Sequence, residues 1–147
     1  MKAGFNDSNG NSWIGNDQLN SLTSTGRYKL VINMWWISGV QYSVEYKTFT
    51  VGDETSGYLL HQGGYNGTVG NCLSYNEGMP FSTYDQDSTF KACPVYDKGS
   101  WWYYIADDVC TYAGSNNERY TSDGFTWSCG FMGTEAMSKT EMWLMCL

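Results

Sequence analysis

Proline, histidine and positive charge are scarce in this chain. It has two prolines, a single histidine and eight Lys or Arg residues in 147 positions. With only His61 and no Cys-x-x-Cys spacing, a tetrahedral zinc site has no ligand set to draw on. Eight basic residues against fifteen acidic ones give a net charge of −7. That balance repels a phosphate backbone and argues against nucleic acid as a partner. The longest mostly apolar run, Leu30 to Val40, is too short to span a bilayer. The opening MKAGFNDSNGNSW has no apolar stretch for a signal peptide, so an export signal is expected upstream or already removed. Gly-x-Ser-x-Gly, HExxH and phosphate-loop patterns are all missing, and His61 in LLHQGG has no sequence neighbour to make a dyad. The protein does not read as an enzyme.

Aromatic residues make up 17% of the sequence, and seventeen glycines accompany them. The length suits one domain with a real core. Glycine without proline points to tight turns and close backbone approaches. Residues 4–20 read as turns around Trp13-Ile14. A short helix is predicted to begin near Asp17, with that residue as N-cap, and to end at Gly26. Arg27 to Trp36 and Val40 to Val51 read as strands joined through Ser38-Gly39, Tyr58-Leu59-Leu60 as a third, and Lys139 to Leu147 as a closing strand. Gly63 to Glu118 reads mostly as loops. The predicted class is α+β. Trp35-Trp36, at a strand end, is either core or contact surface.

Cys72, Cys93, Cys110, Cys129 and Cys146 fit disulfides in an oxidising compartment. Their odd number leaves one thiol free or paired to another molecule. The sequons at Asn6 and Asn66 are compatible with secretion. Phe81 to Cys110 is the most informative stretch. It places Asp85 and Asp87 on alternate residues, then Cys93 and Cys110 on either side of Trp101-Trp102-Tyr103-Tyr104. Two carboxylates so spaced either converge on a cation such as Ca²⁺, which takes six to eight oxygens, or form an acidic surface turn. Asp107-Asp108 reads as a solvated loop tip.

Together these stretches resemble the fibrinogen-related domain, the C-terminal globular module of fibrinogen, ficolins, tachylectins and angiopoietins. The matching segments include WIGND at 13–17, LTSTGRYKL at 22–30, FTVGDE at 49–54, GGYNGTVGNCLSYNEGMPFSTYDQD at 63–87, GSWWY at 99–103, SNNERY at 115–120, GFTW at 124–127 and KTEM at 139–142. The resemblance implies a fibrinogen C-terminal-like fold: an antiparallel sheet with short helices and a loop-rich C-terminal part. The family's N-terminal subdomain and an early sheet strand have no counterpart here. On that basis residues 1–147 form one N-terminally truncated domain, with a sheet part at about 4–62 and 139–147 and a ligand and calcium part at about 63–138. A missing strand leaves sheet edges open, which a homo-oligomer would close.

The resemblance also implies the site. Aligned from Cys93, Asp85 and Asp87 fall on the family's two calcium carboxylates, with the Thr89 and Lys91 carbonyls following; aligned from Phe81, the third acidic position of the family's run is lost. The loop is two residues shorter than usual, and a weakened site is expected. Cys93 and Cys110 match the family's disulfide. Cys146 would pair either with another molecule or with Cys129. Tyr103, Tyr120 and Trp127 match positions lining an N-acetyl pocket, and Thr111 stands where the family usually carries histidine. The function implied is a secreted, calcium-braced, lectin-like module of the innate-immunity type that binds acetylated glycans on surfaces. The alternative is a fibrinogen-like module that binds a protein or receptor and no sugar.

Overall fold

The computed structural model describes residues 1–89, 91–104, 110–114, 126–129 and 137–147. Two short strands, β1 (Phe5–Asn6) and β2 (Ser12–Trp13), form an N-terminal hairpin ahead of helix α1 (Asn16–Thr23). A four-stranded antiparallel sheet follows from β3 (Tyr28–Trp36), β4 (Gln41–Val51), β5 (Leu60–Gly67) and the terminal β8 (Met137–Cys146), in the order β5-β4-β3-β8. Between β5 and β8 lie a four-residue helix, α2 (Cys93–Tyr96), and a two-stranded pair, β6 (Ala113–Gly114) with β7 (Thr126–Trp127).

The alternation of β3 predicts its packing. Leu30, Ile32 and Met34 are buried, while Val31, Asn33 and Trp35 between them are half-exposed. This is the period-two pattern of a strand with one buried face. Trp35 and Trp36 therefore go opposite ways: Trp36 joins the core, and Trp35 lies under the Lys139 ammonium, 4.7 Å from its ring centre. Gly39, at φ 89°, makes the turn into β4, where Trp36 N–H donates to the Val40 carbonyl.

Along β4 the buried positions change parity, from Val44 and Tyr46 to Phe49 and Val51. The change falls at Lys47, whose neighbour on β5 is Gly64 at φ +66°. A Cβ on Gly64 would stand 2.7 Å from Lys47 Cβ, so only glycine lets the two strands stay in register there. Beyond this point Phe49 packs edge-on against Trp102 at 6.4 Å, joining the sheet to the loop region.

Two sequence expectations shift. The helix is not capped by Asp17. Its N-cap is Gly15 at φ 101°, which offers no side chain to bond the first turn, and Asp17 sits within that turn, where a carboxylate still favours the positive end of the helix. The third strand is not Tyr58-Leu59-Leu60; it begins at Leu60 and runs through the glycines to Gly67. Tyr58 stands at φ 57° just before it and donates its hydroxyl to Asp17 at 2.6 Å.

Candidate functional site

The loop region is built around tryptophan. Trp101 and Trp102 are fully buried, 5.2 Å apart, with Trp13, Phe49 and Phe81 around them. Trp102 Nε1–H donates to the Tyr58 carbonyl at 2.7 Å, and the Trp102 carbonyl accepts from Asn76 Nδ2 at 2.5 Å. Away from a sheet ladder the backbone still needs partners, and buried side chains supply them here.

From this core the Asp85–Asp87 loop is tethered at both ends. Ser82 and Trp101 exchange backbone hydrogen bonds of 2.9 and 3.1 Å, and Ser82 Oγ lies 2.5 Å from Ser88 Oγ. Thr83 and Gln86 close a tight turn with reciprocal backbone bonds. Asp85 Oδ1 accepts from Thr83 Oγ1 at 2.6 Å, and this hydroxyl holds the carboxyl below its usual range. Asp87 Oδ1 accepts from the Thr89 amide and hydroxyl at 2.7 and 2.5 Å. Thr89 Oγ1 in turn accepts from the Cys93 amide at 3.1 Å, so the acidic loop runs directly into the disulfide.

Cys93 is bonded to Cys110 across 17 residues. A second disulfide joins Cys72 to Cys129 across 57 residues. The pairing of Cys146 with Cys129 is thereby corrected: Cys129 is taken by Cys72, and Cys146 is an exposed free thiol. The large sequence gap gives no local cue to this bridge.

Of the four residues implied for a pocket, Tyr120 lies outside the described residues. The other three are buried. Tyr103 is 1% exposed; burial first, and then the Asp97 and Asp87 carboxylates, push its phenol well above the ordinary range. Thr111 is 7% exposed, and its Oγ1 accepts from Asn76 Nδ2 at 3.1 Å and from the Ala113 amide at 3.0 Å. Trp127 is 3% exposed and donates Nε1–H to the Gly70 carbonyl at 2.8 Å. Asp85 and Asp87 are exposed and Thr89 and Lys91 half-buried, and the Asp87 carboxylate is among the groups that raise the Tyr103 phenol.

Sequence reasoning named Tyr104 only as part of an aromatic run and did not single out Tyr75 or Tyr112. Tyr75, Tyr104 and Tyr112 directly adjoin Asn76, Tyr103 and Thr111 in sequence. Their rings cluster at the surface, with centroids 4.8 Å (Tyr75–Tyr112), 5.6 Å (Tyr75–Tyr104) and 6.4 Å (Tyr104–Tyr112) apart. Tyr75 is 43% exposed and the other two half-buried. The signal was present: each buried residue is flanked by a tyrosine, as in a layer with one wet face. His61, read as a surface residue, is exposed and pairs with Glu77 at 2.8 Å.

The family described as the C-terminal globular domain of fibrinogen beta and gamma chains matches residues 1–146. The protein is a fibrinogen-related domain. Fibrinogen-like protein A of Apostichopus parvimensis is 36% identical over 128 residues, covering 84% of this chain and 44% of that protein. Tenascin-R of Gallus gallus is 38% identical over 128 residues, covering 86% of this chain and 9% of that protein. This fibrinogen-related domain thus spans less than half the length of the relatives it matches. Among solved structures, the fibrinogen-like globe domain of human ANGPTL2 superposes with a TM-score of 0.84 at 29% identity, over 99% of this chain and 70% of that one. Fibrin D-dimer from lamprey, at 23% identity and a TM-score of 0.79 over 97% of this chain and 54% of that one, shares the fold. The expected α+β class with an antiparallel sheet and short helices is the class observed.

Proposed function

We propose that this fibrinogen-related domain is a secreted recognition module that binds a protein or receptor surface through the face carrying Tyr75, Tyr104 and Tyr112. The observation that carries this reading is the three-ring cluster, with Tyr75 exposed and Tyr104 and Tyr112 half-buried, next in sequence to buried, hydrogen-bonded residues. Tyrosine offers large contact area with little conformational entropy to lose, plus a hydroxyl for a wet rim. Tyr103, Thr111 and Trp127 are buried and occupied by internal bonds or packing, which favours an open contact surface over an acetyl pocket with those walls. The two disulfides fit an oxidising, extracellular setting. Among the described residues no helix is long and apolar enough to cross a membrane.

Ca²⁺ would brace the acidic loop. The oxygens of Asp85 and Asp87, with the Thr89 and Lys91 carbonyls, are the hard donors this ion takes. The two carboxylates are exposed, with Asp85 held ionised. Two carboxylates joined by backbone carbonyls fit a weak site of the extracellular kind. Bound there, the ion would supply a cross-link between the acidic loop and the residues leading to Cys93. Addition of Ca²⁺ in the millimolar range should raise the melting temperature over that in EDTA, and Asp87→Ala should abolish the rise. No shift in the unaltered domain would rule the ion out as a brace.

A glycan is the second reading, since exposed tyrosine rings also stack on sugar faces. Fluorescent tetramers of the domain on cells separate the two. Binding lost on surface proteolysis and untouched by N-acetylglucosamine supports a protein partner. Displacement by the sugar returns the glycan reading. Binding unchanged by combined Tyr75→Ala and Tyr112→Ala would remove the tyrosine face from either.

A further inference from the structure

Two Asn-x-Ser/Thr tripeptides stand in the sequence, Asn6-Asp7-Ser8 and Asn66-Gly67-Thr68, and neither the tyrosine cluster nor the acidic loop makes use of them. Asn66 is the last residue but one of β5, and Thr68 is the first beyond it. All three residues of this second tripeptide are exposed, yet the chain on either side is anchored. Tyr65, half-buried, packs on Tyr46 with ring centres 5.5 Å apart, and its hydroxyl donates to the carbonyl of the buried Val69. Neighbouring strand residues point to opposite faces, so Asn66 points away from Tyr65 and out of the core. Directly across from it on β4 is Glu45, partly exposed and paired with Lys29 at 2.6 Å. A bulky, hydrated group on Asn66 would thus meet charged side chains first, and it would displace nothing buried.

The middle residues set the two tripeptides apart. Packing makes Gly67 a glycine, because a Cβ there would stand 2.7 Å from the Tyr65 hydroxyl and 2.9 Å from Val44 Cγ1. It also leaves no side chain between the Asn66 amide and the Thr68 hydroxyl. Asn6-Asp7-Ser8 is exposed too, but its middle residue is a carboxylate. Asp7 accepts from the Asn9 and Asn11 amides at 2.8 and 2.9 Å and from Asn11 Nδ2 at 2.7 Å, closing the turn between β1 and β2. The saccharide donor in N-glycosylation is a lipid pyrophosphate, and a negative charge beside the acceptor amide opposes its approach.

We propose, resting on the secreted setting of the reading above, that Asn66 carries an N-linked oligosaccharide in preference to Asn6. The two disulfides fit the same compartment, which supplies the transferase and its lipid pyrophosphate-linked donor. In the transfer, Asn66 Nδ2 forms a bond to the anomeric carbon of the saccharide. The bond from that carbon to the phosphate oxygen breaks, its electron pair leaves with the lipid pyrophosphate, and the amide gives up one proton. Transfer acts on the chain before it folds; the fold then has to leave the sugar in solvent, and the exposed end of β5 does so.

The test directs the chain into the secretory compartment of a eukaryotic cell with a cleavable signal peptide and examines the protein in cells and in medium. A single shift in gel mobility, removed by peptide N-glycosidase, is expected. It should disappear in Asn66→Gln and in Thr68→Ala, and persist in Thr68→Ser and in Asn6→Gln. Enzymatic release in heavy-oxygen water should leave a heavy-oxygen aspartate in place of Asn66, which separates a glycan from spontaneous deamidation at Asn66-Gly67. Because transfer precedes folding, these comparisons hold even for a variant that folds poorly. No shift, or a shift that survives Asn66→Gln, would overturn the assignment, and protein in the medium would then leave the secreted reading standing. A shift on protein retained inside the cell would support the assignment and count against secretion.

Discussion

The sheet and the loop region keep their buried backbone satisfied by different means. In the sheet the β3 backbone is bonded on both sides, to β4 and to β8, and side chains such as Ile32 and Val44 need only fill space. In the loop region ladders are two residues long. There the carbonyls of Tyr58, Gly70 and Trp102 accept from Trp102, Trp127 and Asn76 side chains. Both disulfides also lie in this region. Irregular backbone is therefore held by polar groups on bulky side chains and by covalent loops. It should depend more on single residues than the sheet does.

The largest expected effect strikes both halves. Burial raises the phenols of Tyr46, in the sheet, and Tyr103, in the loop region, above the ordinary value. Folded molecules keep these groups neutral, whereas in the unfolded state they ionise near about pH 10. The contribution is fully present below about pH 10 and is lost as pH climbs beyond it. Absorbance and circular dichroism followed together should show these tyrosines ionising only as structure collapses. Ionisation of every tyrosine with intact near-ultraviolet dichroism would contradict this. Replacing either tyrosine with phenylalanine would tell which half gives way first.

Removing disulfides should separate the halves. In the chain-entropy account, loss of the Cys72–Cys129 bridge as a double serine variant costs about 4 kcal/mol and loss of Cys93–Cys110 about 3 kcal/mol. Denaturant melts would measure the difference, and equal costs would argue against loop length as the cause. A smaller change, Trp127→Phe, keeps an aromatic ring but removes the N–H that serves the Gly70 carbonyl and leaves part of the indole's space unfilled, for a loss of about 2 kcal/mol. The sheet's own ion pair, Lys29 to Glu45 at 2.6 Å and partly exposed, should matter least. Glu45→Gln is expected to cost less than about 1 kcal/mol, and a larger value would mean that the sheet leans on polar contacts after all.

The same contrast governs how far the sequence could be read. Strands β3 and β4 announce themselves by alternation, because a strand with one buried face repeats every two residues, and β8 by its run of apolar residues toward the end of the sequence. β5 is harder to place from sequence, because Gly63, Gly64 and Gly67 look like loop residues and leave Tyr58–Leu60 as the nearest strand-like run. They are strand residues, and added Cβ atoms there would meet Thr48, Lys47 and Tyr65 under 3 Å away. The acidic loop and the Cys93–Cys110 bridge were legible through family resemblance. The Cys72–Cys129 bridge was not, nor was the commitment of the Asn76 and Trp127 side chains to distant carbonyls. Such contacts depend on where the fold sets two segments, and no local pattern encodes them.

The bridge between Cys72 and Cys129 bears on how the domain survives a protease. Any single peptide cut between those residues divides the polypeptide into two pieces that stay covalently joined. The piece carrying β8 would remain bonded to the one carrying β3, β4 and β5, and the ladder between β8 and β3 would add its own hold. A nick by a protease in the loop region would thus convert one polypeptide into a two-chain molecule, visible only when the disulfides are reduced before electrophoresis.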